Sequence, residues 1–242
     1  MRVALISDLH GNELSLRAVL RDIERSGADQ IDCLGDVATL GPQPEAVLDL
    51  LAELGCACIL GNHDDFLLDP ELIRRYTEVP VVVEAVDWCR ARLAPRHLDF
   101  VRTFRADLEL ALDGATKLYV FHGSPRSHME DLLATTPPAD LDRFLEGRTA
   151  AVMAGGHTHV QMLRQHRGTL LVNPGSVGMP FKEAISGRPP EVLAHAEYAI
   201  VEGAAGGVQV SLHRVALDRA ALRRAALSTD HPLGTMLASQ YT

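Results

Sequence analysis

The first 65 residues alternate between strand-like and helix-like patterns, and this alternation constrains the fold more than any other feature. The run RVALIS at residues 2–7 predicts a strand, and the apolar spacing in residues 14–27 predicts a helix that ends at Gly27. The segments QIDCLGD and CACILGN predict two more strands, separated by a helix that begins at Pro44 and ends at Gly55. Because strands and helices that alternate in this way form parallel sheets with crossover helices, we expect an α/β fold.

The remainder of the chain changes character twice. Residues 66–106 contain charged helical patterns, and from residue 107 onward six strand patterns follow, separated by short turns that contain glycine. These strand patterns are DLELAL, KLYVFHGS, AAVMAGG, TLLVNPGSV, EYAIVEG and VQVSLHRV, and their short turns favour antiparallel or mixed pairing. A late amphipathic helix at 216–227 is predicted, and the tail after Asp230 is expected to be loosely held. Since there is no repeat or linker, we expect a single domain over residues 1–242, with 66–106 as a helical insertion that could form a cap.

Charge and apolar patterning exclude several classes of protein. With 23 Lys and Arg against 32 Asp and Glu, the formal net charge is −9, so we expect no general nucleic-acid binding, which requires a basic surface. No apolar stretch approaches the roughly 20 residues of a membrane-spanning helix, and the opening MRVALIS does not resemble a signal peptide. We therefore expect a cytoplasmic protein with no membrane partner.

The cysteines lack CxxC spacing and lie in apolar surroundings, which predicts buried free thiols at Cys33, Cys56, Cys58 and Cys89.

Polar side chains collect where the predicted strands end. The carboxyl ends of strands in an open α/β sheet share one rim, so we expect these side chains to converge. Residues i and i+2 of an extended stretch point the same way. Asp8 and His10 can therefore reach a common point, and His157 and His159 can reach one point or two neighbouring points. The residues at the strand ends are Asp8, His10, Asp36, Asn62, His63, Asp64, His122, His157 and His159.

The types of side chain at this rim indicate a metal site. Asp, His and Asn without Cys suit borderline or hard divalent ions such as Mn, Fe, Zn or Ni, with Mg a poorer match, and do not suit a thiolate zinc site. Neighbouring glycines such as Gly61 and Gly156 would let backbone and cation approach closely. Each motif alone is common, and ordinary turn chemistry is the alternative for each. Their joint occurrence at successive strand ends is what predicts a metal centre.

The order of these motifs resembles the calcineurin-like metallophosphoesterase family. Its signature D-x-H, G-D, G-N-H-[DE], a lone His and G-H-x-H is present in full, and the likeness extends from Arg2 to Pro180. The segments SDLHGN, GPQPEAV and NPGSVG resemble a prokaryotic branch of small phosphodiesterase-like proteins. The resemblance implies an α/β fold that is a four-layer α/β/β/α sandwich of two facing mixed sheets, with a small helical insertion.

The resemblance also implies a cofactor of two divalent metal ions. The carboxylate of Asp36 would bridge the ions, which agrees with its two acceptor oxygens. Ions roughly 3.5–4 Å apart would lower the pKa of a shared water, and the resulting hydroxide would attack phosphorus in line with the leaving oxygen. The ions would also neutralise charge on the non-bridging oxygens. The residues implied for the first ion are Asp8, His10 and His159, and those for the second are Asn62, His122 and His157.

Other motif residues are implied to act on the substrate. His63 would face it and protonate the leaving group or stabilise its charge. Asp64 would accept the other ring N–H of His63, with a turn cap as the alternative. Asn12 and Arg126 could contact phosphate oxygens, and a structural role is the alternative for each. Asn173 is expected to hold the backbone beside the site rather than to bind metal.

The leading interpretation is a metal-dependent phosphoesterase, specifically a phosphodiesterase acting on small substrates such as cyclic nucleotides. A phosphomonoesterase, including a phosphoprotein phosphatase, or a dinucleoside polyphosphate hydrolase would share the same motifs, and the loops and residues 66–106 would discriminate among them. A non-catalytic binding scaffold on the same fold predicts gaps in the ligand set, and no signature position is missing. The sequence predicts a small phosphoester as partner and leaves the oligomeric state open.

Overall fold

The computed structural model describes residues 1–114, 116–204 and 207–241. Within these ranges the strands, numbered β1 to β10 in chain order, are Arg2–Ile6, Gln30–Cys33, Ala57–Cys58, Leu108–Asp113, Thr116–Val120, Val152–Ala154, Met162–His166, Thr169–Asn173, His195–Ala204 and Gly207–Ala216. The helices, numbered α1 to α9, are Glu13–Ser26, Pro44–Leu54, Asn62–Leu68, Glu71–Tyr76, Pro80–Arg92, Pro95–Val101, Pro138–Leu145, Arg219–Ala226 and Gly234–Gln240.

The first sheet carries the N-terminal strands in the order β10-β9-β1-β2-β3. Strands β1, β2 and β3 are parallel, as the alternating pattern predicts, with Ala4 opposite Ile31 and Cys33 opposite Cys58. The late strands β9 and β10 extend the same sheet with antiparallel pairing. Helices α1 and α2 each lead the chain back to the end of the sheet where the next parallel strand begins. Strands β1, β2 and β3 therefore all end at the same edge of the sheet.

The second sheet has the order β4-β5-β6-β8-β7 and is also mixed. Its inner pairs β5–β6 and β6–β8 are parallel, whereas the outer pairs β4–β5 and β7–β8 are antiparallel. Antiparallel or mixed pairing was predicted for this half of the chain, and the second sheet has mixed pairing.

Alternating apolar residues bury both faces of the sheets and produce four layers. Leu5 faces the second sheet and shares a buried cluster with Val120, whereas Ile6 faces the opposite way and packs with Leu16 of α1. Leu141 of α7 lies in a further cluster on the outer face of the second sheet. Each such fully buried Leu or Ile stabilises the fold by about 2 kcal/mol. The layers are therefore helix, sheet, sheet, helix, which confirms the expected α/β/β/α sandwich.

Some elements differ from the sequence prediction. The segment CACILGN was expected to be one strand, but β3 spans only Ala57–Cys58, and the chain enters helix α3 at Asn62 rather than a simple turn. Strand β7 and helix α7 were not predicted. Strand β7 is an edge strand with polar residues in its interior, and α7 is a short helix that begins at Pro138, so neither carries a strong periodic signal.

The helical segment 66–106 joins the N-terminal sheet to the C-terminal helices. As predicted, it is helical, from the end of α3 through α6. On its α5, Ala85 and Val81 share an apolar cluster with Leu222 of α8 and Leu237 of α9.

The C-terminal tail is packed, so the expectation of a loosely held segment after Asp230 is wrong. Leu237 and Tyr241 are buried because the tail carries apolar residues at helical spacing and folds as α9 against α8. Trp88 of α5 donates its indole N–H to Asp230 at 2.9 Å, and its ring meets that of His231 edge to face. These contacts attach the tail to the helical segment.

The described helices include none with the length and apolarity required to cross a bilayer. All four cysteines are free thiols, and three of them are buried as predicted, whereas Cys56 is half-buried.

Candidate active site

The polar residues singled out in the sequence converge at one end of both sheets. They follow the carboxyl ends of strands, or lie in the loops that connect them, and backbone hydrogen bonds tie these loops together. Asp8 donates its N–H to Gly35 at 2.9 Å, and Gly156 donates its N–H to His122 at 2.7 Å. Two groups of potential metal ligands result, and their ligand atoms lie within 4.8 Å of one another in each group. The groups are Asp8, His10, Asp36 and His159, and Asp36, His122 and His157.

At five of the six positions in these groups, all except His122, the backbone is left-handed rather than extended. Non-glycine residues rarely adopt this conformation, and each instance costs about 1–3 kcal/mol, so their concentration here points to a functional constraint. The expected alignment of i and i+2 side chains through strand geometry is therefore wrong, since left-handed turns bring them together instead. The φ angles are 52° at Asp8, 43° at His10, 57° at Asp36, 68° at His157 and 57° at His159.

The first group places two imidazole nitrogens face to face. His10 Nδ1 is 3.1 Å from the Thr39 carbonyl oxygen, and His159 Nδ1 is 2.7 Å from that of Met179. A carbonyl only accepts hydrogen bonds, so both Nδ1 atoms carry the proton and both Nε2 atoms present lone pairs. These two Nε2 atoms lie 3.0 Å apart.

The charge state of the first group favours a cation between those nitrogens. Burial is the main cause that lowers the pKa of both His10 and His159, so both rings are neutral near pH 7. Two lone pairs at this separation repel each other unless a positive centre lies between them. Asp8 Oδ1 is 3.4 Å from His159 Nε2, and no donor among the described residues forms a hydrogen bond with it. The donor set thus fits a divalent metal ion.

The second group also favours positive charge, but through a carboxylate beside an imidazole ring. His122 Nδ1 lies 2.6 Å from the Leu34 carbonyl oxygen, which directs Nε2 toward Asn62 Oδ1 at 3.2 Å and Asp36 Oδ2 at 3.4 Å. Burial opposes protonation of this ring, but the Asp36 carboxylate outweighs it and raises the pKa of His122 to about 10. The His157 ring lies 5.2 Å from that of His122. The group therefore attracts positive charge to the space between the carboxylate and the ring.

Asp36 belongs to both groups through one oxygen. Its Oδ1 accepts the backbone N–H of His63 at 2.8 Å. Its Oδ2 lies 3.9 Å from His10 Nε2 and 3.4 Å from His122 Nε2. The sequence argument assigned both carboxylate oxygens to bridging, but the structure leaves only Oδ2 facing the two groups.

His63 lies beside the cluster with one ring nitrogen free. Its Nδ1 pairs with the Thr39 hydroxyl at 2.8 Å, and Nε2 makes no hydrogen bond to a described residue. Its ring meets that of His10 edge to face at 5.1 Å, and the residue is 8% exposed.

Asp64 does not orient His63, so that expectation is wrong. Its Oδ1 accepts the N–H of Val37 at 3.0 Å, and its Oδ2 accepts those of Asp36 at 2.8 Å and Gly61 at 2.9 Å. These three bonds use the whole carboxylate to hold the loops that carry Asp36 and Asn62. Thr39 occupies the place beside the ring that Asp64 was expected to take.

The glycines of the motifs allow the loops around the site to pack closely. A Cβ at Gly61 would lie 2.1 Å from Asp36 Oδ1, and one at Gly156 would lie 1.9 Å from Ser7 Oγ. Backbones from separate loops can meet here only without side chains.

The comparisons with known proteins agree with this geometry. Residues 1–196 match the model of the calcineurin-like phosphoesterase superfamily domain. The chain belongs to the calcineurin-like phosphoesterase superfamily. It is 30% identical over 193 residues to an uncharacterized protein of Methanocaldococcus jannaschii, covering 74% of this chain and 76% of that protein. A metallophosphoesterase structure from Sphaerobacter thermophilus is 26% identical, with a TM-score of 0.74 over 99% of this chain and 100% of that one. A hypothetical protein of Pyrococcus horikoshii, 19% identical, shares the fold, with a TM-score of 0.81 over 98% and 96% of the two chains.

Two residues expected to touch substrate have structural partners in this member of the superfamily. Asn12 caps α1 by accepting the N–H of Ser15 at 3.1 Å, and its amide donates to the Gly178 carbonyl at 3.1 Å. The Arg126 guanidinium is paired with Glu130. Both contacts favour the structural alternative for Asn12 and Arg126.

Asn173 holds the backbone beside the site, as expected. Its amide donates to the Gly156 carbonyl at 2.6 Å and to Thr158 Oγ1 at 3.0 Å, and its Oδ1 accepts the N–H of Gly175 at 2.8 Å. The NPGSVG segment also supplies Ser176, whose hydroxyl donates to the Asp8 carbonyl at 2.6 Å.

Sequence reasoning missed two residues of the site. Thr39 supports His10 through its carbonyl and His63 through its hydroxyl. Asp131 Oδ1 lies 3.3 Å from His157 Nε2, at a position where its side chain is 65% exposed. Neither belongs to a motif, and only the position of Thr39 three residues after Asp36 hinted at a role.

Proposed function

We propose that the chain is a phosphoester hydrolase that holds two divalent metal ions and prefers small phosphodiesters such as cyclic nucleotides. The observation that carries this proposal is the pair of unprotonated Nε2 atoms of His10 and His159, which face each other 3.0 Å apart beside Asp8. The family match supports phosphoester hydrolysis as the reaction, since residues 1–196 match the calcineurin-like phosphoesterase superfamily domain.

The ligand assignment divides the buried donors between the two ions. Asp36 would be the ligand common to both ions, since its carboxylate faces His10 and His122. Borderline ions such as Mn, Fe, Zn or Ni suit this set of imidazole, carboxylate and amide ligands. When bound, such ions lower the pKa of a coordinated water and neutralise charge on phosphoryl oxygens. The first ion would be held by Asp8, His10, Asp36 and His159, and the second by Asp36, Asn62, His122 and His157.

His63 is the residue proposed to act on the leaving group. In its protonated form the His63 ring donates from Nδ1 to the Thr39 hydroxyl oxygen and carries its second proton on Nε2, the nitrogen without a described partner. Loss of the Nε2 proton then leaves a neutral imidazole. Hydrolysis adds water across the P–O bond, so the leaving oxygen must gain a proton as that bond breaks. Nε2 can donate this proton or hydrogen-bond to the charge that develops on the oxygen.

The charges near the site favour a singly charged diester over a dianionic monoester. Asp131 lies against His157, and Asp65 Oδ2 lies 3.8 Å from His128 Nε2, so both add negative charge at this rim. The nearby Arg126 is neutralised by Glu130. A dianion therefore meets more repulsion here than a monoanion.

The proposal is tested by hydrolysis assays of purified protein with added Mn²⁺. We expect turnover of bis-p-nitrophenyl phosphate, a smaller kcat/KM for p-nitrophenyl phosphate, and loss of both activities after chelation, with recovery when Mn²⁺ is restored. His128→Gln is the matched control, because it changes a histidine of the same rim outside the ligand set.

Metal binding without turnover of either ester would contradict the hydrolase and would favour a binding scaffold. A larger kcat/KM for the monoester would contradict the diester preference alone.

A further inference from the structure

An aromatic row leads from His63 to the surface. The Tyr76 ring, at the end of α4, lies 5.5 Å from the Phe66 ring at 38°, and the Phe66 ring lies 5.1 Å from the His63 ring at 67°. Phe66 is buried at 2% exposure, whereas Tyr76 is 47% exposed. The row thus begins beside the residue proposed to face the leaving group and ends on an open aromatic ring.

Tyr76 also lies within the field of the site carboxylates. Partial burial raises the pKa of its hydroxyl, and the charges of Asp131 and Asp36 raise it further. Asp131 in turn contacts His157 at 3.3 Å. Tyr76 belongs to the helical segment, and Asp131 belongs to the loop after β5. Both lie at the rim of the two groups of potential metal ligands.

The Tyr76 ring is held in place by the helix that carries it. Ile73 of the same helix is fully buried and shares a cluster with Phe66 and Val86 of α5. Arg74 donates to Asp87 of α5 at 2.8 Å. An exposed aromatic ring on an anchored helix can bind a second ring with little loss of conformational freedom.

We propose that Tyr76, backed by Phe66, is a stacking platform for the nucleobase of a nucleotide whose phosphate lies at the metal cluster. This inference rests on the proposed function and specifies its substrate class. A nucleobase offers a planar face to Tyr76 and amino donors to Asp131. In this arrangement the segment 66–106 forms one wall of the site.

The test is a calorimetric titration of the Mn²⁺-loaded protein with three ligands that share a phosphate. The ligands are AMP, ribose 5-phosphate and inorganic phosphate. We expect wild type to bind AMP more tightly than ribose 5-phosphate. In Tyr76→Ala we expect AMP binding to weaken about 5- to 100-fold, the range for loss of one base–aromatic stack, with the other two ligands unchanged.

Two variants serve as controls. Tyr76→Phe keeps the ring and should retain wild-type preference for AMP, whereas Leu54→Ala removes an exposed apolar side chain at the end of α2 and should leave all three affinities unchanged.

Equal binding of AMP and ribose 5-phosphate by wild type, or a uniform loss for all three ligands in Tyr76→Ala, would overturn the platform and leave the proposed function intact. Failure of the Mn²⁺-loaded protein to hydrolyse bis-p-nitrophenyl phosphate would contradict the proposed function itself, and the platform with it.

Discussion

At the scale of single residues, the chemistry depends on which imidazole nitrogen each histidine leaves free. Backbone carbonyls take Nδ1 of His10, His122 and His159, so Nε2 is directed into the cluster in each case. His63 differs, because a hydroxyl that can donate or accept takes its Nδ1. His63, whose Nδ1 is not bound to a carbonyl, is therefore the histidine that can donate a proton from Nε2 to a leaving group.

His63→Gln should spare metal binding and reduce turnover by about 10²- to 10⁴-fold, the usual contribution of a general acid. The loss should be greater for alkyl esters than for p-nitrophenyl esters, because a poor leaving group depends more on protonation. Steady-state kinetics on both ester types, with metal content measured in parallel, checks this. His128→Gln is the control, and an equal loss for both ester types would show that His63 stabilises charge without donating a proton.

Thr39 allows a test of whether its hydroxyl positions the His63 ring, since a substitution can remove the hydroxyl contact to His63 and keep the carbonyl contact to His10. Thr39→Val keeps the carbonyl that binds His10 and removes only the hydroxyl that pairs with His63. We expect metal content to be unchanged and kcat to fall about 10-fold, the smaller end of the range for residues that orient a functional histidine. Thr39→Ser should restore the rate. A Ser variant as slow as the Val variant would contradict a role for the hydroxyl.

At the scale of elements, the strands could be predicted better than the turns that follow them. Alternation and apolar runs located β1, β2 and most strands of the second sheet, because these signals are local. The left-handed turns at Asp8, Asp36 and His157 are stabilised by loops distant in sequence, as when Asp64 binds the N–H of Asp36. The single bridging oxygen of Asp36 and the role of Thr39 depend on such contacts, so the sequence alone could not reveal them.

The junction between α5 and the C-terminal tail should make stability depend on pH. Burial and, to a smaller extent, the charge of Arg92 lower the pKa of His231 to about 4, against the opposing charge of Asp230. The unfolded chain binds a proton at this residue below its ordinary pKa near 6.5, whereas the folded chain does not until about pH 4. Stability should therefore fall as pH decreases from about 6.5 to 4.

His231→Asn tests this, because Asn does not titrate and can still accept the Leu233 N–H that His231 Nδ1 accepts at 3.2 Å. Thermal unfolding at pH 7 and pH 5 should show a smaller decrease in Tm for the variant than for wild type. Equal decreases in the two proteins would contradict a contribution from His231.

At the scale of the whole molecule, the architecture follows from how two half-chains converge. Parallel strands from the first half of the chain and mixed strands from the second half bring their loops to the same end of the molecule. Apolar packing between the two sheets holds the sheets against each other. The motif order predicted the family and the four layers, because both depend on patterns spread over most of the chain. The packed tail was missed, because short apolar spacing near a terminus gives a weak signal.

The most direct test of the two-metal hydrolase is the metal content of Asp36→Asn beside wild type. This variant keeps an oxygen to accept the His63 N–H and replaces the oxygen that faces both ligand groups with an amide nitrogen. After Mn²⁺ loading and gel filtration, elemental analysis should give about two equivalents in wild type and at most one in Asp36→Asn, with diester hydrolysis reduced at least about 100-fold. A folded Asp36→Asn protein that retains both ions would contradict the assignment of Asp36 as the shared ligand.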